Sequence, residues 1–300
     1  MLVNIINSAL GMSLKEYIEI SKLRIVMILD LVAVTTLLAA SKWQINPFDI
    51  IYLLIAGSLA SMGSAAINHY YDRDIDSLMS RTSTRPIPAG RIKPKNALIY
   101  GILLSVISVI ISYLTLNLLA TAFIALGIIV YDVIYTLLLK RKNASNIVIG
   151  GFAGSCASYA GWATATGSID LLGFLVGLIV FIWTPTHFWT LAIKIKEEYA
   201  NAKVPMLPVL IGEARAAKYI LLNTAILVPY SIAITFLGLG LIYLIISIIT
   251  GLFLIHYDLR LLKNPSKSLA WRAYMASNQY LMLLFLGLMF DGLYMIRFTP

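Results

Sequence analysis

The sequence predicts an all-α membrane protein, a single domain over residues 1–300 folded as a bundle of about nine transmembrane helices. Three observations predict it. Sixty per cent of the 300 residues are hydrophobic. The 23 basic and 14 acidic residues make up only 12% of the chain, about half of the roughly 25% that gives a soluble domain its water-facing surface. The apolar residues also fall into runs of about 20, the length that carries a helix across a bilayer. An ordinary soluble enzyme, a disordered chain and a disulfide-stapled secreted scaffold are excluded. The one cysteine, Cys156, sits inside an apolar run, so it is expected to be buried, with neither an intramolecular disulfide nor a Cys-rich metal site. Residues 1–24 mix apolar and charged positions and lack the ordered regions of a signal peptide.

The apolar runs give nine spans in order: 25–41, 48–67, 97–114, 118–138, 147–166, 171–193, 219–237, 239–257 and 275–296. The seventh and eighth are separated only at Gly238 and Gly240. One unbroken helix there would be about 58 Å long, nearly twice the hydrocarbon thickness, so two spans are expected. Basic residues test the count. With the N-terminus cytoplasmic, 21 of the 23 lysines and arginines fall on the inner side, and only Lys42 and Arg297 fall outside. That is a strong positive-inside signal, and an error in span number would have scrambled it. The net charge of +9 therefore reports topology in a lipid bilayer, and nucleic-acid binding is not expected. The C-terminus is expected outside. The long connections, 68–96 and 194–218, lie on the inner side, so the working face is expected to be cytoplasmic.

The second span runs out into AAINHYYDRDIDSLMSRTSTRPIPAGRIKP. Asn68, Asp72 and Asp76 are spaced i, i+4, i+8, which puts them on one helix face a turn apart. Three oxygen-bearing side chains at a membrane surface suit a hard cation. Mg²⁺ takes oxygen ligands, keeps waters and is commonly completed by substrate phosphate. Arg81, Arg85 and Arg91 follow, with Pro86 and Pro88 stiffening the backbone. Arginine matches phosphate oxygens in bidentate fashion. One ligand that is both metal-bridged and polyanionic, a diphosphate, fits the pattern. A solvated, salt-bridged loop of topogenic arginines is the other account of the same residues.

The Asn-x3-Asp-x3-Asp pattern after a membrane helix resembles the first motif of the UbiA superfamily of intramembrane prenyltransferases. The run DRDID…RT..RP.P.GRI is similar to the heme O synthase (protoheme IX farnesyltransferase) branch. YTLLLKR (Tyr135 to Arg141) with NIVIGG (Asn146 to Gly151) resembles that branch's fourth-to-fifth span junction. WTPTHFW (Trp183 to Trp189) with KEEYANAKVPMLPV (Lys196 to Val209) resembles its second polar loop. The resemblance covers about residues 15–213. The sequence departs from the pattern at Lys22-Leu23-Arg24, where the family commonly has Lys-Pro-Arg, and at Glu198, where it has Asp.

The resemblance implies a UbiA-like bundle whose active-site cavity opens to the cytoplasmic side, and a Mg²⁺-dependent enzyme that transfers an isoprenyl group, farnesyl or geranylgeranyl, from its diphosphate to a vinyl group of heme B. The product would be a heme O-type hydroxyalkyl heme for terminal oxidases, with heme-modifying or oxidase-assembly proteins as partners. It further implies Asn68, Asp72 and Asp76 as catalytic metal holders, joined directly or through water by Glu198. Arg81, Arg85, Arg91, Lys140, Arg141 and Lys196 would bind diphosphate, and His187, Trp183, Tyr135 and Tyr199 would face the heme acceptor. Two other acceptors keep the same fold and diphosphate: an aromatic acid and a lipid alcohol. A transporter would spread its polar residues across the bilayer and show a broken-helix repeat; the sequence has neither.

Several residues carry two readings. His187, just after Pro185, is either an iron ligand or propionate partner or a hydrogen-bonded bundle histidine. Tyr71, Tyr131, Tyr135, Trp183, Phe188 and Trp189 either line a cation-stabilising cavity or serve as packing and interfacial belt. The small residues from Gly150 to Gly161 either allow close helix approach or offer a smooth wall to a flat ligand. Among the acids in spans, Asp132 is expected to face the bundle, Asp30 to pair with Arg24 or reach the interface, and Asp291 to be wetted near the outer end.

Overall fold

The computed structural model of the protein describes residues 14–294, which are helical throughout with short connections; Arg297 and the expected positions of both chain ends lie outside them. The helices in order are α1 Leu14–Ile20, α2 Leu23–Ala40, α3 Pro47–Leu78, α4 Pro94–Thr115, α5 Leu118–Ile129, α6 Asn146–Gly150, α7 Phe152–Thr166, α8 Leu171–Lys194, α9 Lys196–Asn201, α10 Leu207–Ile211, α11 Glu213–Ala233, α12 Leu241–Lys263 and α13 Lys267–Tyr294. α5 continues without interruption as a π-helical segment, Val130–Leu139. Among the described residues, eight helical stretches are each long and apolar enough to cross a membrane. The protein is a multi-pass membrane protein.

The expected fifth span is the one that differs. It is split at Gly151 into the short α6 and α7, neither of which alone has spanning length. At the junction the Gly151 backbone stays near helical, at φ −58° and ψ −24°, and a Cβ there would meet the Thr184 side chain at 2.8 Å. The other boundaries move in informative ways. The second span does not stop at residue 67; α3 runs on to Leu78 and carries Asp72 and Asp76 beyond the apolar stretch that ends at Tyr71. The long connection 194–218 is largely helical, made of α9, α10 and the first turn and more of α11. The glycines at 238 and 240 do end one span and begin the next, and Gly238 takes the positive φ of 128° that favours glycine.

Helix starts follow local chemistry. Asn46, Asn117 and Asp170 cap α3, α5 and α8, each accepting a backbone N–H of the first turn. α3 and α4 also begin with Pro47 and Pro94, whose missing N–H costs nothing at that position. Asp291 departs from its expected wetted place. It is buried and accepts the backbone N–H groups of Gly240 and Tyr243, so a carboxylate sits on the positive end of α12.

The long helices close a ring: α2 packs on α3, α3 on α4, then α5, α7, α8, α11, α12 and α13, which returns to α2. Outward faces such as Ile102, Val106 and Ile110 on α4 are exposed apolar surface for lipid. Across the ring, α2 meets α7 and α8 meets α13. The α2–α7 crossing is very close. A Cβ on Gly161 would lie 2.1 Å from the Ala33 carbonyl oxygen, and the hydroxyls of Thr36 and Ser158 share a hydrogen bond of 3.2 Å beside it. This is the close-approach reading of the small residues. Gly161→Ala is therefore expected to destabilise the protein by about 1–3 kcal/mol through forced separation of two backbones, read as a lower midpoint in detergent thermal unfolding.

Candidate functional site

Between these crossings and the ends of α2 and α3 that carry Lys22 and Asp76 lies a cavity of about 520 Å³. Its mouth is built by the emerging end of α3. Asn68, Asp72 and Asp76 line it together, on the one face that their spacing dictates, and all three are buried. Each is met by a cation or a donor from another element. Lys22 donates to Asn68 Oδ1 at 2.8 Å, Lys140 pairs with Asp72, and Arg85 pairs with Asp76 at 2.7 Å. Asn68 in turn donates to Asp72 Oδ2 at 2.8 Å. Burial pushes the Lys22 ammonium down to about 7, with repulsion from Arg85 and Lys140 adding to the effect and Asp72 and Asp76 opposing it. Burial also works against the Lys140 charge, yet Asp72 outweighs it and holds that ammonium above its ordinary range.

Lys22 was legible in the sequence as a topogenic charge and as the start of Lys22-Leu23-Arg24, with no role in the site assigned to it. It reaches the site because the chain turns at that residue, with φ 50° and ψ 52°, between α1 and α2. Lys140 is delivered by the π-helical segment, whose last bond runs from Lys140 N to Tyr135 O at 2.8 Å. π-turns are rare and cluster at functional sites.

The mouth also collects Arg81, Tyr135 and Tyr199. Glu198 accepts the Arg81 backbone N–H at 3.3 Å and does not line the cavity. Three expected anion binders are engaged elsewhere. Arg91 pairs with Glu19 at 3.2 Å and donates to Thr84 O, Arg141 clamps Asp74 at 2.6 Å, and Lys196 reaches Glu213 at 3.5 Å. The Arg141 hydrogen bonds hold the Asp74 carboxyl below its usual range.

The donor set suits a hard metal ion. Its atoms are oxygens only, and the buried Asp72 Oδ1 has no hydrogen-bond partner. That fits a hard divalent cation such as Mg²⁺. Among the described residues, no three His, Cys, Asp or Glu side chains gather as a ready cage, so water and a ligand's own oxygens would complete the coordination.

Deeper in, the wall turns apolar and aromatic. His187 is held between two rings, with Trp183 at 4.1 Å and 23° and Tyr274 at 4.5 Å and 32° between centroids. Its Nδ1 shares a hydrogen bond of 2.9 Å with Ser277 Oγ, and the Trp183 indole N–H donates to Ser277 O at 2.8 Å. Pro185 does not break α8, which continues past it to Lys194. Tyr131 and Phe188 join the lining, whereas Trp189 packs in the core and Tyr71 does not line the cavity. Gly150, Gly154, Ala157 and Ala160 form a smooth side, so the small residues of this stretch both pack helices and face the cavity. Asp30 corrects its expectation: it accepts from Ser58 Oγ at 2.6 Å and lines the cavity instead of pairing with Arg24. Asp132 faces the bundle and accepts from Ser64 Oγ at 3.0 Å. Sequence reasoning missed Tyr274, Ser277 and Asn278, since α13 reads only as an apolar span.

The family model described as the UbiA prenyltransferase family matches residues 29–287. The chain is 51% identical, over 94% of its length and 97% of the relative's, to protoheme IX farnesyltransferase 1 of Cenarchaeum symbiosum. It is 42% identical, over 93% of its length and 97% of the relative's, to a protoheme IX farnesyltransferase of Saccharolobus islandicus. Among solved structures, a digeranylgeranylglyceryl phosphate synthase superposes with a TM-score of 0.76 at 18% identity, covering 93% of this chain and 98% of that one. A UbiA homolog from Archaeoglobus fulgidus, bound to GPP and Mg²⁺, superposes with a TM-score of 0.64 at 18% identity, covering 91% and 99%. The structural likenesses speak to the fold.

Proposed function

The chain belongs to the UbiA prenyltransferase family, and from that premise we propose that it transfers a farnesyl group from farnesyl diphosphate to a vinyl group of heme B, giving heme O. One observation carries the reading: a single cavity joins a mouth of cations and carboxylates to an interior wall where a histidine is stacked between Trp183 and Tyr274. The acceptor is read from the relatives at 51% and 42% identity. The digeranylgeranylglyceryl phosphate synthase among the structural neighbours shares only the fold at 18%.

The chemistry follows from the lining. The farnesyl tail lies in the apolar interior and the diphosphate sits at the mouth. Asn68, Asp72 and Asp76 would hold Mg²⁺, which when bound stabilises the negative charge that grows on the leaving diphosphate. Lys22, Lys140 and Arg85 now neutralise those oxygens and are placed to turn to the diphosphate, while Arg81 lines its path. Glu198 fastens the Arg81 backbone, and Arg91, Arg141 and Lys196 brace the surrounding loops through their own ion pairs. Tyr131, Tyr135 and Phe188 give the developing allylic cation a dry, electron-rich boundary. His187, with Nδ1 held by Ser277, presents Nε2 as the nitrogen for heme iron, and Tyr199 belongs to the acceptor's edge. The terminal vinyl carbon bonds to the farnesyl C1 as the C1–O bond breaks. The cation left on the inner vinyl carbon is captured by water. No side-chain nucleophile is required. The mouth faces the cytoplasm, where the basic residues crowd.

The direct test is mass spectrometry of hemes extracted from membranes of a host that lacks its own heme O and expresses this chain. Heme O is expected; a prenylated aromatic acid with heme B left unmodified would overturn the acceptor. The ion-pair pattern gives a sharper expectation. Lys22→Met should raise KM for farnesyl diphosphate by about tenfold, the worth of one charge-assisted hydrogen bond of about 1.5 kcal/mol. Arg91→Met, which removes a cation bound to Glu19 outside the cavity, should leave KM near wild type.

A further inference from the structure

The cavity wall carries a polar ladder. α3 lies beside the π-helical segment and Lys140 that follows it, and the two exchange three rungs, four residues apart on each: Asp72 with Lys140, Asn68 with Thr136 at 3.2 Å, and Ser64 with Asp132 at 3.0 Å. The first two belong to the mouth. The third lies one turn, about 6 Å, deeper than Asn68, and nothing in diphosphate binding uses it. Ser64 lines the cavity, as does Ser61 beside it. Asp132 stands behind Ser64, only 6% exposed, and its enclosed Oδ1 has no hydrogen-bond partner. An acid at membrane depth costs roughly 2.5–3.5 kcal/mol, and an unpaired buried acceptor adds to that cost. Packing alone gives no return for it.

We propose that Ser64 and Asp132 form the proton relay for the water that ends the reaction, with Ser64 touching the water and Asp132 acting through it. The inference rests on the reading of a heme vinyl group as acceptor. Once the terminal vinyl carbon has bonded to farnesyl C1, the positive charge rests on the inner vinyl carbon, just below the diphosphate. The water oxygen bonds to that carbon and one of its O–H bonds breaks. Ser64 Oγ takes this proton while its own, already donated to Asp132 Oδ2, passes to the carboxylate. Asp132 ends the step as a carboxylic acid and gives the proton to solvent as products leave. Ser61 and Ser64 supply two of the polar partners that a held water needs. Without the relay, the cation loses a proton from the adjacent CH₂, the former terminal vinyl carbon, to the departed diphosphate and becomes an alkene, lighter than the alcohol by one water.

The experiment uses the full chain in detergent with heme B, farnesyl diphosphate and Mg²⁺, and separates the alcohol and alkene products by mass. In Asp132→Asn and Ser64→Ala, KM for farnesyl diphosphate should hold while the alkene-to-alcohol ratio rises on the order of 10²-fold, the usual worth of a positioned base. Ser64→Thr and Asp132→Glu, which keep the hydroxyl and the carboxylate, should restore the alcohol. A wild-type product ratio in both disabling variants overturns the relay, whether total turnover is intact or both products fall together as packing damage would make them. Absence of any prenylated heme from the wild-type protein overturns the acceptor reading itself, and the relay with it.

Discussion

Asp72→Asn and Asp76→Asn are each expected to lower turnover by on the order of 10²–10³-fold while leaving an inserted, folded protein. The magnitude is that of removing one preorganised group from a developing charge. Asparagine is the informative replacement. Asp72 and Asp76 are buried and paired with Lys140 and Arg85. Alanine would leave those cations enclosed without a partner, at a cost of about 3–5 kcal/mol, and confuse stability with catalysis. Asparagine keeps the volume and one acceptor oxygen but removes the negative charge. Initial rates in detergent, alongside thermal unfolding, separate the two effects. Rates near wild type would refute the metal assignment.

His187→Ala is expected to weaken heme retention by 10–100-fold or more, taking the loss of a metal-site partner as about that size, and to leave farnesyl diphosphate binding unchanged. The asymmetry follows from position. His187 sits in the Trp183–Tyr274 stack on the interior wall, whereas the groups placed for the diphosphate cluster at the mouth on α3 and around residues 22, 85 and 140. Spectral titration with heme and isothermal titration with farnesyl diphosphate measure the two affinities on one sample. Ser277→Ala should give a weaker version, because it frees Nδ1 and loosens the ring without removing Nε2. Equal loss of both affinities would mean that His187 only packs.

The mouth was legible where chemistry repeats along one helix. Asn68, Asp72 and Asp76 share a face whatever the surroundings, so spacing alone brought them together. Lys22 was hidden because its role depends on a single left-handed turn before α2. The π-helical segment was hidden as well, since widening the turn over Val130–Leu139 leaves the apolar pattern of a span intact. Arg91, Arg141 and Lys196 show the converse. Their charges were readable, but the partners that occupy them, Glu19, Asp74 and Glu213, come from distant segments or other faces. Asp291 could be read as a capping residue only once the break at Gly238 was known to set the start of α12 against α13. The hydropathy runs gave the spans, yet the close approach of Gly151 to Thr184 at the junction of α6 and α7 is a packing contact that no run of apolar residues encodes.

Coupling of diphosphate departure at the α3 mouth to carbon–carbon bond formation on heme, within one cavity, is what the proposed function requires. It is tested by counting both products in one reaction of the purified protein. One diphosphate should appear for each prenylated heme, both should stop when divalent ions are chelated, and both should return with added Mg²⁺. Undiminished heme prenylation under chelation, or diphosphate release with heme left unchanged, would contradict it.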